Sequence, residues 1–178
     1  MTVKHTEYPR PKPVSTQTLN INVPARIIPS MIRNAQSSDA PRLAEIYNHF
    51  IENTIVTFEE SPITDEDMAQ RIAAVHAAGY PWIVHQIEDQ LTGYAYAAQY
   101  KSRCSFRHTA ESTIYLDPNH TGGRIGSALY QELFQRLAER GTHCVIAGIS
   151  LPNPASIAIH QKFGFEQVGC FRQVGWKL

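Results

Sequence analysis

The sequence predicts an α/β fold, a mixed central sheet flanked by helices, and three observations carry that reading. Apolar residues recur at helical spacing in Leu43, Ile46, Tyr47, Phe50 and Ile51, in Met68, Ile72 and Val75, and in Ile125, Leu129, Leu133 and Leu137. Strand-like runs bounded by turn residues lie between and beyond these stripes. Their order is mixed: strands in antiparallel succession come first and strand–helix–strand units follow, which is the layout of an α/β sandwich.

Residues 1–30 hold Pro9, Pro11, Pro13, Pro24 and Pro29 and no glycine, which excludes a continuous helix or central strand. They read as an N-terminal extension, within which Leu19, Ile21 and Val23 alternate with Asn20 and Asn22 at the period of a half-buried strand. Ser38 or Asp39 caps the first helix, with Pro41 in its first turn. The second helix starts at Thr64, where Thr64 and Asp67 form a short capping box, and Gly79 ends it. Strands follow over 82–86 and 91–100 around a turn at 88–90, and a third runs over 109–116. Next come a glycine-rich turn with its helix, a strand over 144–149, a short helix closed by Gly164, and a last strand over 165–174.

At 178 residues and 43% apolar composition the chain suits one domain with a sizeable core. Basic and acidic residues balance at 16 each, so no field exists for holding nucleic acid or an anionic membrane, and a small-molecule partner is expected. Cys104, Cys144 and Cys170 are odd in number and widely spaced, suggesting neither a disulfide framework nor a zinc site and fitting a reducing cytoplasm. The histidines show no metal-ligand spacing, so no metal is expected. No apolar run approaches the roughly 20 residues needed to span a bilayer.

The chemistry concentrates between Glu111 and Phe165. A strand ending at Leu116 leads into Thr121, Gly122, Gly123, Arg124, Ile125 and Gly126, which open a helix. Such a turn points unpaired N–H groups at one spot, where the helix dipole adds positive charge, and phosphates sit well there. The other reading is an ordinary glycine-rich loop capping a helix.

These parts, with residues 151–165 and the segments 46–51, 57–59, 80–82 and 101–103, resemble the GNAT acetyltransferase superfamily, and within it the phosphinothricin and methionine sulfoximine N-acetyltransferases. The likeness runs from Met31 to Leu178, makes residues 31–35 the first strand, and sets the GNAT domain at 31–178. It implies an acyl-CoA N-acyltransferase fold, acetyl-CoA as co-substrate, a small amine acceptor and a homodimer. The family fold has one further strand, inserted between the last two; the sequence stops at Leu178, so the fold is expected to lack it, with residues 19–23 or a second subunit as candidates to complete the sheet.

By the same resemblance Glu111 is the general base, its pKa raised by burial on an apolar strand; the alternatives are a solvent-facing carboxylate or one paired with Arg103 or Arg107. His160 stands where the family places the group that protonates the departing thiolate, or else is a helix histidine bonded to a nearby carbonyl. Ile114, Tyr115 and Leu116 offer backbone groups to the pantetheine arm, Asn153 contacts it, and Ser156 and Lys162 lie further along the coenzyme. The family loop has Gln or Arg first and glycine fourth; here Thr121 and Arg124 occupy those places, so Arg124 either carries left-handed strain or bridges a phosphate. Lys101 and Arg103 are the pair that clamps a substrate carboxylate, Phe58 walls the pocket with Trp82 and Phe106, and Glu59 faces the substrate or a partner subunit. Acetyl transfer to another amine, and a non-catalytic coenzyme A-binding remnant, are the competing functions.

Overall fold

The computed structural model describes residues 30–177, and the strand-like run at 19–23 lies outside them. The strands are β1 (Ser30–Asn34), β2 (Trp82–Ile87), β3 (Gln90–Gln99), β4 (Thr109–Leu116) and β5 (Cys144–Ile146), with helices α1 (Ala40–Asn53), α2 (Asp65–Ala77), α3 (Ile125–Glu139) and α4 (Pro154–Lys162). One five-stranded sheet runs in the order β1-β2-β3-β4-β5. Its first four strands are antiparallel, and β5 joins β4 in parallel.

Period-two alternation sorts the strands onto two cores. Trp82 and Val84 of β2 and Tyr94 of β3 pack with Leu43, Ile46, Met68 and Ile72 under α1 and α2. Ile83, Ala95, Ala97 and Ala110 point the other way, against Leu129, Leu133 and Leu137 of α3. Small alanines on that face let α3 lie close to the sheet. Both faces are covered, as the apolar stripes require.

Asp39 stands at the N-cap of α1, but its side chain accepts no N–H from that helix, so the expected cap there is corrected, whereas the one before α2 is present. Before α1, the buried Asp39 carboxylate accepts from the Gln36 N–H at 2.8 Å and from Arg33 at 2.7 and 2.8 Å. Thr64 and Asp67 exchange bonds at 3.1 Å in a full reciprocal box ahead of α2. Gly79 and Gly164 end α2 and α4 with φ of +74° and +80°, the left-handed geometry that glycine adopts without strain.

Two strand expectations need correction. The strand expected over 144–149 pairs over Cys144–Ile146 alone. Residues 165–174 form no strand, and Val168, Phe171 and Val174 are 95%, 86% and 70% exposed. The apolar residues there recur every third position rather than every second, so no single face could be buried in a sheet.

Candidate functional site

Strands β4 and β5 fork at Glu111. They pair at Thr109 with Cys144, Ala110 with Val145 and Glu111 with Ile146, and there the ladder stops while β4 continues to Leu116. Residues 112–116 bond to β3 on one edge. Their other edge has no strand partner among the described residues, leaving a row of backbone groups that an extended ligand can pair with. Ile114, Tyr115 and Leu116 lie on this stretch.

Side chains of β4 alternate across the fork. Tyr115 packs edge-on against Tyr47 of α1 at 5.0 Å, so Glu111, Thr113 and Tyr115 share the face toward α1 and α2. Ile114 and Leu116 join the α3 core instead. Glu111 is exposed, so the burial expected of it is not found, and it joins no ion pair among the described residues, with Arg103 or otherwise. Its Oε1 lies 3.7 Å from where a Cβ on Gly148 would stand, so the carboxylate leans across the fork over a residue with no side chain.

The glycine-rich turn sits at the far end of the free edge. Gly122, Gly123 and Arg124 are all left-handed, with φ of +97°, +55° and +64°. This run curls the chain around one point before Ile125 starts α3. For Arg124, which has a Cβ, the conformation costs roughly 1–2 kcal/mol. The Arg124 side chain is exposed and makes no hydrogen bond or ion pair among the described residues. Gly126 is needed for close approach: a Cβ there would lie 2.9 Å from Ile159 and 3.5 Å from Leu116. Lys162 of α4 donates to Ser127 Oγ at 2.8 Å, which places its ammonium beside the first turn of α3. Thr121 is exposed before the turn.

The turn is held by a residue that sequence reasoning passed over. Asp117 is 2% exposed. Its carboxylate accepts from the Asn119 N–H at 2.9 Å, from His120 Nδ1 at 2.8 Å, and from Arg42 of α1, while its own N–H donates to the Thr92 carbonyl at 3.0 Å. Burial opposes its charge, but these donors prevail and hold the carboxyl below its usual range. The signal available in the sequence was an Asp-Pro pair opening a turn.

Asn153 caps α4, its Oδ1 accepting from the Ser156 N–H at 3.1 Å. One turn on, His160 is 5% exposed and its nitrogens are both used. Nδ1 lies 2.7 Å from the Ser156 carbonyl and 3.3 Å from the Ser156 hydroxyl, and Nε2 lies 2.8 Å from the Tyr130 hydroxyl. A carbonyl only accepts, so Nδ1 carries the proton and Nε2 accepts from Tyr130. Burial depresses the imidazole pKa, outweighing the Ser156 carbonyl. This is the geometry of the second of its two readings, a helix histidine bonded to a nearby carbonyl, and it ties α4 to α3. Ser112, buried on β4 with no partner for its hydroxyl, lies beside Tyr130.

On the acceptor side, Lys101 and Arg103 occupy the exposed loop joining β3 to β4, and Arg103 enters no ion pair among the described residues. The Lys101 ammonium rests 4.9 Å over Tyr100 and 5.6 Å over Phe106, which ties both rings to this loop. Phe58 is 59% exposed, with Gly175 packed on its ring, and Lys177 bonds the carbonyls of Ile51 and Thr57 at 2.7 and 3.1 Å. Glu59 is committed within the chain. Arg71 grips it at 2.6 and 3.0 Å and Tyr47 donates at 3.0 Å, and Arg71 holds its pKa below the usual range.

No group of His, Cys, Asp or Glu suited to a metal occurs among the described residues, nor any helix long and apolar enough to cross a membrane.

A sheet forked beside a carboxylate, with a free strand edge running down to a left-handed turn that opens a helix, is the layout of an acyl-coenzyme A-dependent transferase. The family profile "Acetyltransferase (GNAT) family" matches residues 43–165, and the chain belongs to that family. It is 34% identical over 151 residues to a phosphinothricin N-acetyltransferase of Streptomyces coelicolor, covering 83% of this chain and 88% of the relative. It is 32% identical to an L-methionine sulfoximine/L-methionine sulfone acetyltransferase of Salmonella typhimurium, covering 83% and 86%. Among solved structures, a phosphinothricin acetyltransferase from Sinorhizobium meliloti in complex with acetyl-CoA superimposes with a TM-score of 0.80 at 36% identity, covering 83% of this chain and 80% of the other. The protein is an acetyl-CoA-dependent N-acetyltransferase.

Proposed function

We propose that this enzyme moves the acetyl group of acetyl-CoA to the α-amino group of a small amino-acid-like acceptor such as phosphinothricin or methionine sulfoximine. The observation that carries the reading is the position of Glu111 at the fork, between the free edge of β4 and the Lys101–Arg103 loop. The pantetheine arm pairs with Ile114, Tyr115 and Leu116 and is met by Asn153; the pyrophosphate takes the Gly122–Gly126 turn, with Thr121, Arg124, Ile125 and Lys162 around it, and Ser156 flanks the arm.

Glu111 takes a proton from the acceptor ammonium, directly or through one water. The freed amine attacks the thioester carbonyl, whose developing charge a β4 N–H stabilises. The carbon–sulfur bond then breaks, the nitrogen gives its second proton to solvent water to become the neutral amide, and the departing thiolate takes a proton from solvent. Arg103 and Lys101 hold the acceptor carboxylate, Arg103 through its planar fork. Phe58 closes the acceptor side, and Glu59 acts through Arg71. A cytoplasmic homodimer belongs to this reading, its assembly measurable by light scattering.

One feature favours the second reading, a coenzyme-binding protein without turnover: the residue meant to protonate the thiolate is sequestered. Calorimetric titration with acetyl-CoA, run beside a thiol-release assay over a panel of amino acids and their analogues, decides. Binding with turnover supports the enzyme, and binding without turnover of any acceptor overturns it.

A further inference from the structure

Residues 165–177 run from α4 to the loop between α1 and α2 and are fastened at both ends. At the start, the Phe165 N–H donates to the His160 carbonyl at 3.0 Å, and its ring meets the His160 imidazole edge-on at 5.0 Å. The middle, with Val168 and Phe171, is exposed. At the far end the Lys177 ammonium donates to the carbonyls of Ile51 and Thr57. Ile51 stands in the last turn of α1, where helix carbonyls lack an intrahelical partner and a cation is favoured. Gly175 lies so close to the Phe58 ring that a Cβ there would come within 2.6 Å of Phe58 Cε1. Two residues of one segment thus bracket Phe58, Gly175 against its ring and Lys177 on the carbonyl just before it. That loop abuts the face of β4 that carries Glu111. Thr57 is buried, its hydroxyl 2.7 Å from the Tyr47 hydroxyl, and the Tyr47 ring packs on Tyr115, which shares the Glu111 face.

We propose that Lys177 and Gly175 are positioning residues for the acceptor: they hold Phe58 and its loop in place beside the Glu111 face, so that acceptor affinity is set in part by a lysine acting through another residue. The inference rests on the acetyl-transfer reading above and deepens it by making residues 165–177 a working part of the acceptor side. A lysine that only caps α1 predicts a different pattern, a lower thermal midpoint with both substrate affinities unmoved.

Lys177→Met keeps an apolar stem and removes the charge and donors, whereas Lys177→Arg keeps both. Gly175→Ala pushes against the Phe58 ring with Lys177 left in place. Val168→Ser, in the exposed middle of the segment, is the control. Steady-state kinetics with L-methionine sulfoximine and phosphinothricin, calorimetric binding of each to protein saturated with coenzyme A, acetyl-CoA affinity and amide exchange over 58–60 are measured for every variant. In Lys177→Met the acceptor KM and Kd should rise about tenfold and exchange over 58–60 should quicken, while acetyl-CoA affinity stays within about twofold. Gly175→Ala should raise the acceptor KM in the same direction, and Lys177→Arg and Val168→Ser should stay near wild type. Phe58→Ala should raise it as well, and adding Lys177→Met to Phe58→Ala should cost less than about twofold more, because the lysine works through that residue. Acceptor values unmoved in Lys177→Met, or fully additive with Phe58→Ala, overturn the inference and leave the reaction standing. Acceptor binding that Lys177→Met weakens, with no turnover by any protein, sustains the inference and removes the reaction. Wild type that neither binds nor acetylates either acceptor overturns both.

Discussion

The Tyr130 hydroxyl donates to His160 Nε2 at 2.8 Å, joining the middle of α3 to α4 through two side chains that are 0% and 5% exposed. Burial favours the neutral form of this imidazole in the folded protein. A histidine whose folded pKa is depressed contributes stability that is full above its unfolded value of about 6.5 and lost as pH falls through the folded value. His85, also depressed by burial, acts in the same direction.

The thermal midpoint is therefore expected to fall between pH 7 and pH 5, and His160→Gln, which keeps an acceptor for Tyr130 but does not titrate, should make that fall shallower. Turnover of His160→Gln should stay within about threefold of wild type, since removing a true general acid costs about 10²–10⁴. Equal slopes in the two pH profiles would contradict a buried neutral imidazole.

Glu111→Gln is expected to leave acetyl-CoA affinity nearly unchanged and to lower turnover by about 10² to 10⁴. The side chain is exposed and unpaired among the described residues, so stability should not move. Calorimetry and steady-state kinetics on one preparation separate the effects, and more than a third of wild-type turnover would remove Glu111 from the chemistry.

Arg103→Ala should raise KM for acceptors bearing a carboxylate and have less effect on their amides, because the lost contact serves ground and transition states alike. Lys101→Ala should act in the same direction more weakly, since its ammonium also rests on Tyr100 and Phe106. Equal losses for acid and amide would make the arginine structural.

Arg124→Gly separates strain from charge. Glycine relieves the left-handed conformation at φ +64°, so the ligand-free protein should gain about 1 kcal/mol. Acetyl-CoA should bind more weakly, most clearly at low salt where the charge contribution is largest. Tighter binding by the variant would show that the side chain never reaches a phosphate.

The start of α2 and strands β2 and β3 were legible because each rests on a local signal, Thr64 with Asp67 for the helix and the turn at 88–90 between the strands. The positive φ of Arg124 was likewise readable, since the residue stands where the glycine pattern shifts. What escaped was non-local. Nothing near Asp117 in the sequence announces Arg42, 75 residues away, and nothing near His160 announces Tyr130. The sequestering of His160 and the pairing of Glu59 with Arg71 follow from helix packing, which residue type does not disclose. Residues 165–174 look like a strand by composition, but a strand also needs a neighbouring edge, and that is a property of the whole sheet.

The ladder between β4 and β5 ends after Glu111 and Ile146, and in the proposed function the pantetheine arm supplies the hydrogen-bonding partner for residues 112–116. Occupancy then becomes part of folding: acetyl-CoA at a hundred times its Kd adds about 2.7 kcal/mol to the folded state. When the coenzyme runs low, the bare edge is what other chains meet first. On that binding mode self-association is expected to rise as the coenzyme is withdrawn, which light scattering with and without acetyl-CoA checks.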